Sequence, residues 1–563
     1  MRAARPRALF ALATAVHSVF AALIFARLGQ PLLWEDEAET AMHGRNVLEY
    51  GVPKMHVGRN IVYGAPLPLA LGRNEALDAY VGSPWGQYFF AAPAVAWSEG
   101  ARDLAARTWR MRLPFALAGW LGVLLLGSVG AGLWPAAAGP RAAFWLGFGV
   151  CLLLSVSLQL HLREVRYYPL VVFALGAAAR LESRRHVRVD LPPLRHTLLL
   201  APVLFGLFNL FYPAFAAVVA AGAVALGLRI ARTRAIGARE GVSAMAPYAL
   251  ACAAALPIAA LFRLRAQSRA LFEIFTAPSN SFSHQLASGA LYLLRFEFAA
   301  PVLAGAAALA LARRRVASCA QRAEGARRPS DGATSELRAA FAACDLALAL
   351  AAIWWAVVAC TPLFFSRYLV PLSPLLCAAC VLQVGCLVAL RRTRAARTAT
   401  AGLAAVAIAW AACAAVRAPE LRGRWEEQRE PYRGPLDHVI PYLAEHYPSP
   451  ADLVIATNYE DYAYMFYLGA TTVLGYYAPE RERDLAFVPD VIIPRPWPVN
   501  LRALEHLANQ QDYVMHAFPV ANARVNNLPE LSARNQSGLV HRFRSPVPGR
   551  DGAPLVIGER QQR

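Results

Sequence analysis

Apolar residues run almost unbroken from Ala8 to Leu28, the length that crosses a bilayer, which takes about 20 residues. Runs of similar character recur near 112–133, 141–160, 165–180, 197–212, 213–229, 246–263, 290–312, 340–364, 368–390 and 400–417. With the first run they give about eleven crossings. Residues 30–110 form a long polar interruption with two predicted surface helices. One covers 37–50. The other starts near Trp85, carries Tyr88, Phe89, Phe90, Val95 and Trp97, and is broken by Pro93. It is short and aromatic, so it is expected to lie in the interface rather than span.

After residue 417 the membrane pattern stops. Helical spacing appears at 435–447 (Val439, Ile440, Leu443), 459–468 and 501–511, and strand-like stretches at 452–456, 491–494 and 513–520. Such alternation predicts a small α/β domain. The expected architecture is therefore an integral membrane all-α domain over 1–417, with juxtamembrane helices in a first external loop at 30–110, and a soluble α/β domain over 418–563.

Composition agrees. The chain has 563 residues, 57% hydrophobic and only 17% charged, with mean hydropathy +0.36. The net charge of +19 invites a nucleic-acid partner, but its distribution excludes one. Arginines gather in short connectors: Arg2, Arg5 and Arg7; Arg184, Arg185 and Arg188; Arg229, Arg232 and Arg234; Arg313, Arg314 and Arg315; Arg391, Arg392 and Arg394. That is the positive-inside pattern. It puts the N-terminus in the cytoplasm, and the loops at 264–289 and 364–368 and the tail outside. Lys54 is the only lysine, a usage that fits a GC-rich bacterial genome and hence a bacterial inner membrane. All nine cysteines lie at or before Cys413, so neither the first loop nor the tail can hold a disulfide, and no paired spacing suggests a zinc site. The N-terminal segment reads as an uncleaved anchor. The tail has no phosphate-binding glycine loop and no GxSxG.

The candidate chemistry sits at the outer face. Trp34-Glu35-Asp36-Glu37 follows the first span directly. Glu75 and Asp78 come later in the same loop. His161, Arg163, Glu164, Arg166, Tyr167 and Tyr168 fill the turn between two spans, and Arg367 and Tyr368 open another. Each has a plainer reading: Asp36 as a helix N-cap, Arg163 and Arg166 as snorkelling or Glu164-paired, Arg367 and Tyr368 as interfacial anchors. Together they offer carboxylates for a base and arginine forks for phosphate oxygens on one side of the membrane.

These residues resemble the GT-C superfamily of membrane glycosyltransferases, and within it the bacterial relatives of protein O-mannosyltransferases and of the lipid A aminoarabinose transferase. The resemblance rests on DEAETAMHGRNVLEYGVP at 36–53, SPWGQYFFAAP at 83–93, RLPFALAG at 112–119, HLREVRYY at 161–168 and RYLVPLSP at 367–374, in order across the membrane domain. It departs at Glu39 and Thr40, where relatives often carry an arginine or aromatic, and at Ser83-Pro84, a reduced proline pair. The resemblance implies a polyprenyl-phosphate-linked sugar as donor and an envelope acceptor (lipid A, a glycan or a protein) on the periplasmic face, with inversion at the anomeric carbon. It implies Asp36 as general base, with Glu37 beside it as a second catalytic acid or a structural partner of an arginine. It implies Arg163, Arg166 and Arg367 at the lipid phosphate, with Tyr167 and Tyr368 as donors or anchors. Glu75 or Asp78 would orient the acceptor or hold a divalent ion. Use of a divalent metal stays open, since His43, His56 and His161 fit no ligand spacing. The competing readings are a transporter or lipid flippase, whose charges would lie near the midplane, and a non-catalytic envelope scaffold.

Overall fold

The structure is a computed structural model that describes residues 4–186, 190–233, 238–277, 281–322, 331–524, 527–529 and 541–561. The connector arginines Arg2, Arg188 and Arg234 lie outside these residues.

The chain opens with helix α1 (Ala4–Phe25) and then α2 (Glu35–Tyr50). Three acidic residues in the first turn of α2 suit the positive end of the helix dipole. Gly51 ends the helix at φ 75°, the left-handed conformation that glycine adopts without a Cβ clash, and its N–H closes onto the Val47 carbonyl. Two short hairpins follow, His56–Val57 with Asn60–Ile61 and Arg73–Asn74 with Ala79–Tyr80. Helix α3 (Gly86–Glu99) packs against α2, and Gly44 sits so close to Ala91 that any Cβ there would come within 2.9 Å of it. At 14 residues α3 is about 21 Å long, shorter than the apolar core of a bilayer.

Helix α4 (Leu104–Leu133) starts from an Asp103 cap that accepts the Ala106 N–H at 2.6 Å. After α5 (Arg141–Leu154) comes α6 (Tyr167–His186), which packs closely on α4. Small residues allow the approach: a Cβ on Gly122 would meet the Phe173 backbone at 2.5 Å, and one on Gly176 the Gly122 carbonyl at 2.5 Å. This contact fixes the 161–166 turn against the top of α4.

Among the described residues seven helices are long and apolar enough to span on their own: Arg7–Phe25, Leu104–Leu133, Pro193–Leu210, Glu240–Leu261, Glu336–Ala359, Ser366–Leu390 and Ala396–Arg429. The other expected crossings are helical but weaker. Arg141–Leu154 and Tyr212–Gly227 are shorter apolar helices, and the run at 165–180 becomes helical only from Tyr167, where α6 begins. The expected single span at 290–312 is two helices, Phe282–Phe296 and Ala299–Val316, bent by 90°. Between them sits buried Glu297, which accepts from Tyr292 Oη at 2.9 Å and Ser155 Oγ at 3.2 Å. A carboxylate in an apolar run needs such partners, and the break provides them.

Helix α7 (Ala396–Arg429) runs without a break through residue 417, so the last span continues as a rod into the tail. The tail contains α8 (Leu436–His446) and α9 (Asp461–Leu468). Its strands are β1 (Val454–Thr457), β2 (Thr471–Leu474), β3 (Val491–Ile493), β4 (Tyr513–Ala521) and β5 (Pro554–Arg560). They form one sheet in the order β2-β1-β3-β5-β4, parallel on the β1 side and antiparallel around β5.

The tail is not a detached module. One apolar core joins Leu33, Ala38, Val95 and Phe115 to Ile440, Tyr462, Phe466 and Ile557. Tyr467 Oη accepts the Leu33 N–H at 3.0 Å and lies 2.5 Å from Thr108 Oγ1. The Phe466 ring is held by the guanidiniums of Arg107 at 4.3 Å and Arg45 at 5.2 Å.

Candidate active site

Trp34 is the N-cap residue of α2, and no side chain caps that helix end. Asp36 is therefore inside the first turn with its carboxylate directed elsewhere, which removes the capping explanation. Arg367 Nη2 meets Asp36 Oδ2 at 3.0 Å, and Arg166 Nη2 meets the same oxygen at 3.3 Å. Among the described residues no hydrogen bond reaches Oδ1. The Asp36 side chain keeps 22% exposure. Arg367 also lies over the rings of Phe365 at 4.5 Å and Trp34 at 5.2 Å, which hold its fork in place. So three segments far apart in sequence bring one carboxylate and two guanidiniums together.

An aromatic floor supports the arginines. Tyr167 stacks on Phe211 at 5.0 Å, Tyr368 lies 5.1 Å from the same ring, and Tyr167 Oη donates to Tyr168 Oη at 3.3 Å. Arg166 sits over the Tyr167 ring at 5.5 Å.

Glu37 is committed elsewhere. It is fully buried, with Arg112 Nε on Oε1 at 2.8 Å and Arg112 Nη2 on Oε2 at 2.5 Å. The Val165 N–H also donates to Oε1 at 2.9 Å, and Arg112 Nη1 reaches the Leu28 and Pro31 carbonyls. This bidentate pair ties α2, α4 and the 161–166 turn together. Of the two readings of Glu37, this geometry is that of the arginine-paired one: both oxygens are hydrogen-bonded and the side chain is buried.

Arg163 also departs from expectation. Its Nη2 donates to the Arg27 carbonyl at 2.8 Å, and its Nη1 is 3.9 Å from Glu427 on α7. It points away from Asp36, and it is Arg166 that turns toward it. Asp78 and Glu75 do not join the site either. Asp78 Oδ1 binds His56 Nδ1 at 2.7 Å and Arg73 Nε at 2.8 Å, while His56 Nε2 reaches Glu480 of the tail at 3.0 Å. Asp78 thus fastens the hairpin loop to the tail. Glu75 is exposed at a hairpin tip. Among the described residues no three His, Cys, Asp or Glu side chains are grouped to hold a metal ion.

Two acids of functional interest were not singled out as site residues. Glu39 lies one helical turn past Asp36 on the same face of α2. Its Oε2 takes Arg166 Nη1 at 3.3 Å and its Oε1 accepts from Tyr88 Oη at 3.0 Å. Burial pushes this carboxyl up to about 7, with Arg166 opposing the shift and Asp36 adding to it. His43 stacks on Tyr80 at 4.7 Å, and burial pushes it down to about 3, so it stays neutral. The three-residue spacing from Asp36 was the available signal for Glu39. Glu35 is buried against Asp461 of α9, and burial, reinforced by the Asp461 charge, pushes its carboxyl well up. Nothing local in the sequence pairs residues so far apart.

No family model and no curated protein sequence matches the chain. Solved structures do. ArnT from Cupriavidus metallidurans bound to undecaprenyl phosphate matches with TM-score 0.51 at 14% identity, over 97% of this chain and 97% of that one. The apo state of the same ArnT matches with TM-score 0.50 at 13% identity, over 94% of this chain and 99% of that one. Membrane bundle, first-loop helices and sheet-bearing tail together share the fold of that ArnT.

Proposed function

We propose that this chain is an inverting glycosyltransferase that moves a sugar from a polyprenyl-phosphate donor to an envelope acceptor. The observation that carries this reading is Asp36: partly exposed, its Oδ2 gripped by Arg166 and Arg367, its Oδ1 open. The ArnT of the same fold was solved with undecaprenyl phosphate, which supports a lipid-phosphate donor.

The chemistry follows from the charges. An acceptor hydroxyl is a weak nucleophile, and Asp36 Oδ1 takes its proton as the new C–O bond forms. The bond between the anomeric carbon and the phosphate oxygen breaks on the opposite face, which inverts the centre. The departing lipid phosphate gains charge, and Arg166 and Arg367 stabilise it more in the transition state than before. For this they must exchange part of their grip on Asp36 for phosphate oxygens. The site faces the periplasm in this scheme, with the N-terminus cytoplasmic and the tail outside. Charges gathered at one end of the bundle favour this over a transporter, whose ionisable groups would line the midplane.

The test is comparison of envelope glycoconjugates by mass spectrometry in a deletion strain complemented with wild type or Asp36→Asn at matched protein level. General base catalysis contributes about 10²–10⁴-fold, so Asp36→Asn should abolish the sugar mass that wild type restores. Full restoration by Asp36→Asn would remove the base assignment.

A further inference from the structure

Arg166 serves two carboxylates at once. Its Nη2 is on Asp36 Oδ2 at 3.3 Å, and its Nη1 is shared between the Asp36 carbonyl at 3.1 Å and Glu39 Oε2 at 3.3 Å. If the donor phosphate is to engage Arg166, it must compete with both. Glu39 is closed to substrate. Tyr88 of α3 donates to it, Tyr80 and neutral His43 lie beside it, and Tyr462 of α9 and Tyr477 act on it from the tail. Gly64 completes the wall: a Cβ there would come within 2.4 Å of the Glu39 carboxyl. Apart from Asp36 on its own helix, the charged group facing Glu39 in these contacts is Arg166.

We propose that Glu39 is a positioning residue for the donor phosphate: ionised, it holds Arg166 down along α2, and protonated, it releases that guanidinium to a phosphate bound beside Asp36. This rests on the donor reading above. It assigns a role to a residue at which the chain departs from the GT-C pattern. The carboxyl titrates close to neutrality because burial opposes its charge. The two forms are therefore both populated in the range an envelope protein meets. Releasing Arg166 frees a charge-assisted hydrogen bond, which corresponds to about a tenfold change in phosphate affinity.

The experiment is equilibrium binding of radiolabelled undecaprenyl phosphate to full-length wild-type protein and Glu39→Gln in lipid nanodiscs, from about pH 5.5 to about pH 8.5. Gln keeps the size and can accept from Tyr88, but carries no charge. The ligand's own titration is common to both proteins and cancels in their ratio. The two should bind equally at the acid end, and Glu39→Gln about tenfold tighter at the alkaline end. A ratio that stays constant with pH would mean Glu39 is only structural and would overturn the proposal. Tyr88→Phe gives a second reading. It removes the donor that favours the ionised form, so the pH step should move upward, and an unmoved step also overturns the proposal. If wild-type protein binds undecaprenyl phosphate at no pH, the donor reading itself fails and this inference with it. Binding with a flat ratio sinks the inference alone.

Discussion

Glu37→Gln separates structure from chemistry in the acidic cluster. In the native protein Arg112 sends Nε and Nη2 to Glu37 and Nη1 to two carbonyls, all of them buried. Gln keeps the volume, and its carbonyl oxygen still accepts from one donor. Its amide N–H groups, however, face Arg112 Nη2 donor to donor, and the guanidinium loses its counter-charge. Breaking a buried ion pair from one side costs about 3–5 kcal/mol. The pair joins α2 to α4 and to the Val165 N–H, so the loss should appear first as loosening of the first loop. A polytopic chain with a packed tail will not unfold in one step, so limited proteolysis of the 30–110 loop beside thermal scans in detergent is the right assay. We expect faster cleavage and a melting midpoint lower by several degrees. Replacing both partners with apolar residues, Glu37→Leu with Arg112→Met, should recover part of that stability. If Glu37→Gln keeps wild-type protease resistance and melting yet loses transfer as completely as Asp36→Asn, the reasoning is refuted and Glu37 belongs in the chemistry.

Other outcomes follow from the same geometry. Arg367→Ala removes a guanidinium from beside Asp36 and, on the proposed donor reading, should weaken undecaprenyl phosphate binding by about tenfold or more, whereas Arg163→Ala should leave it within about twofold and instead loosen α7. Equal loss in both variants would put Arg163 back at the donor site. Glu39 also links stability to pH. Its folded carboxyl is raised from 4.5 to about 7, so the folded state holds the proton longer than the unfolded chain. Stability from this group is therefore present below about pH 4.5 and falls as pH rises toward 7, by at most about 3 kcal/mol. Melting of wild type minus Glu39→Gln, compared at pH 5 and pH 8, should show Glu39→Gln gaining at the higher pH.

Much of this fold was legible because hydropathy and helix signals are local. The 37–50 helix, the short aromatic helix and the principal strands β1, β3 and β4 lie close to where the pattern puts them. What failed depended on partners. The run at 290–312 reads as one span because Arg295 and Glu297 alone barely lower its hydropathy, yet satisfying buried Glu297 goes with a right-angle break. Strand β2, TTVL, carries only two strongly apolar residues and takes its place by pairing with β1, as β5 does by pairing with β3 and β4. In the site, Asp36, Arg166 and Arg367 were visible as outward-facing residues and do come together. Arg163 was not separable from Arg166 by sequence. The two are three residues apart in an irregular turn, and the turn sends one to α7 and the other to α2.

The acidic cluster shows why position within a helix decides function where residue type cannot. Successive residues of a helix point about 100° apart. Glu37 is thereby turned to Arg112 in α4, while Glu35 and Glu39, one turn apart on one side of the helix, meet Asp461 in the tail and Tyr88 in α3. Each meets a wall that satisfies or neutralises it, and Asp36 is the member of the turn left facing the surface. The tail is part of this selection. Had α9 not packed on α2, Glu35 would also be open, and two carboxylates a residue apart would compete for the same proton. A mobile tail would therefore blur the proposed base as well as the fold. That is the physical reason to expect this domain to be inseparable from the membrane portion in any active form of the chain.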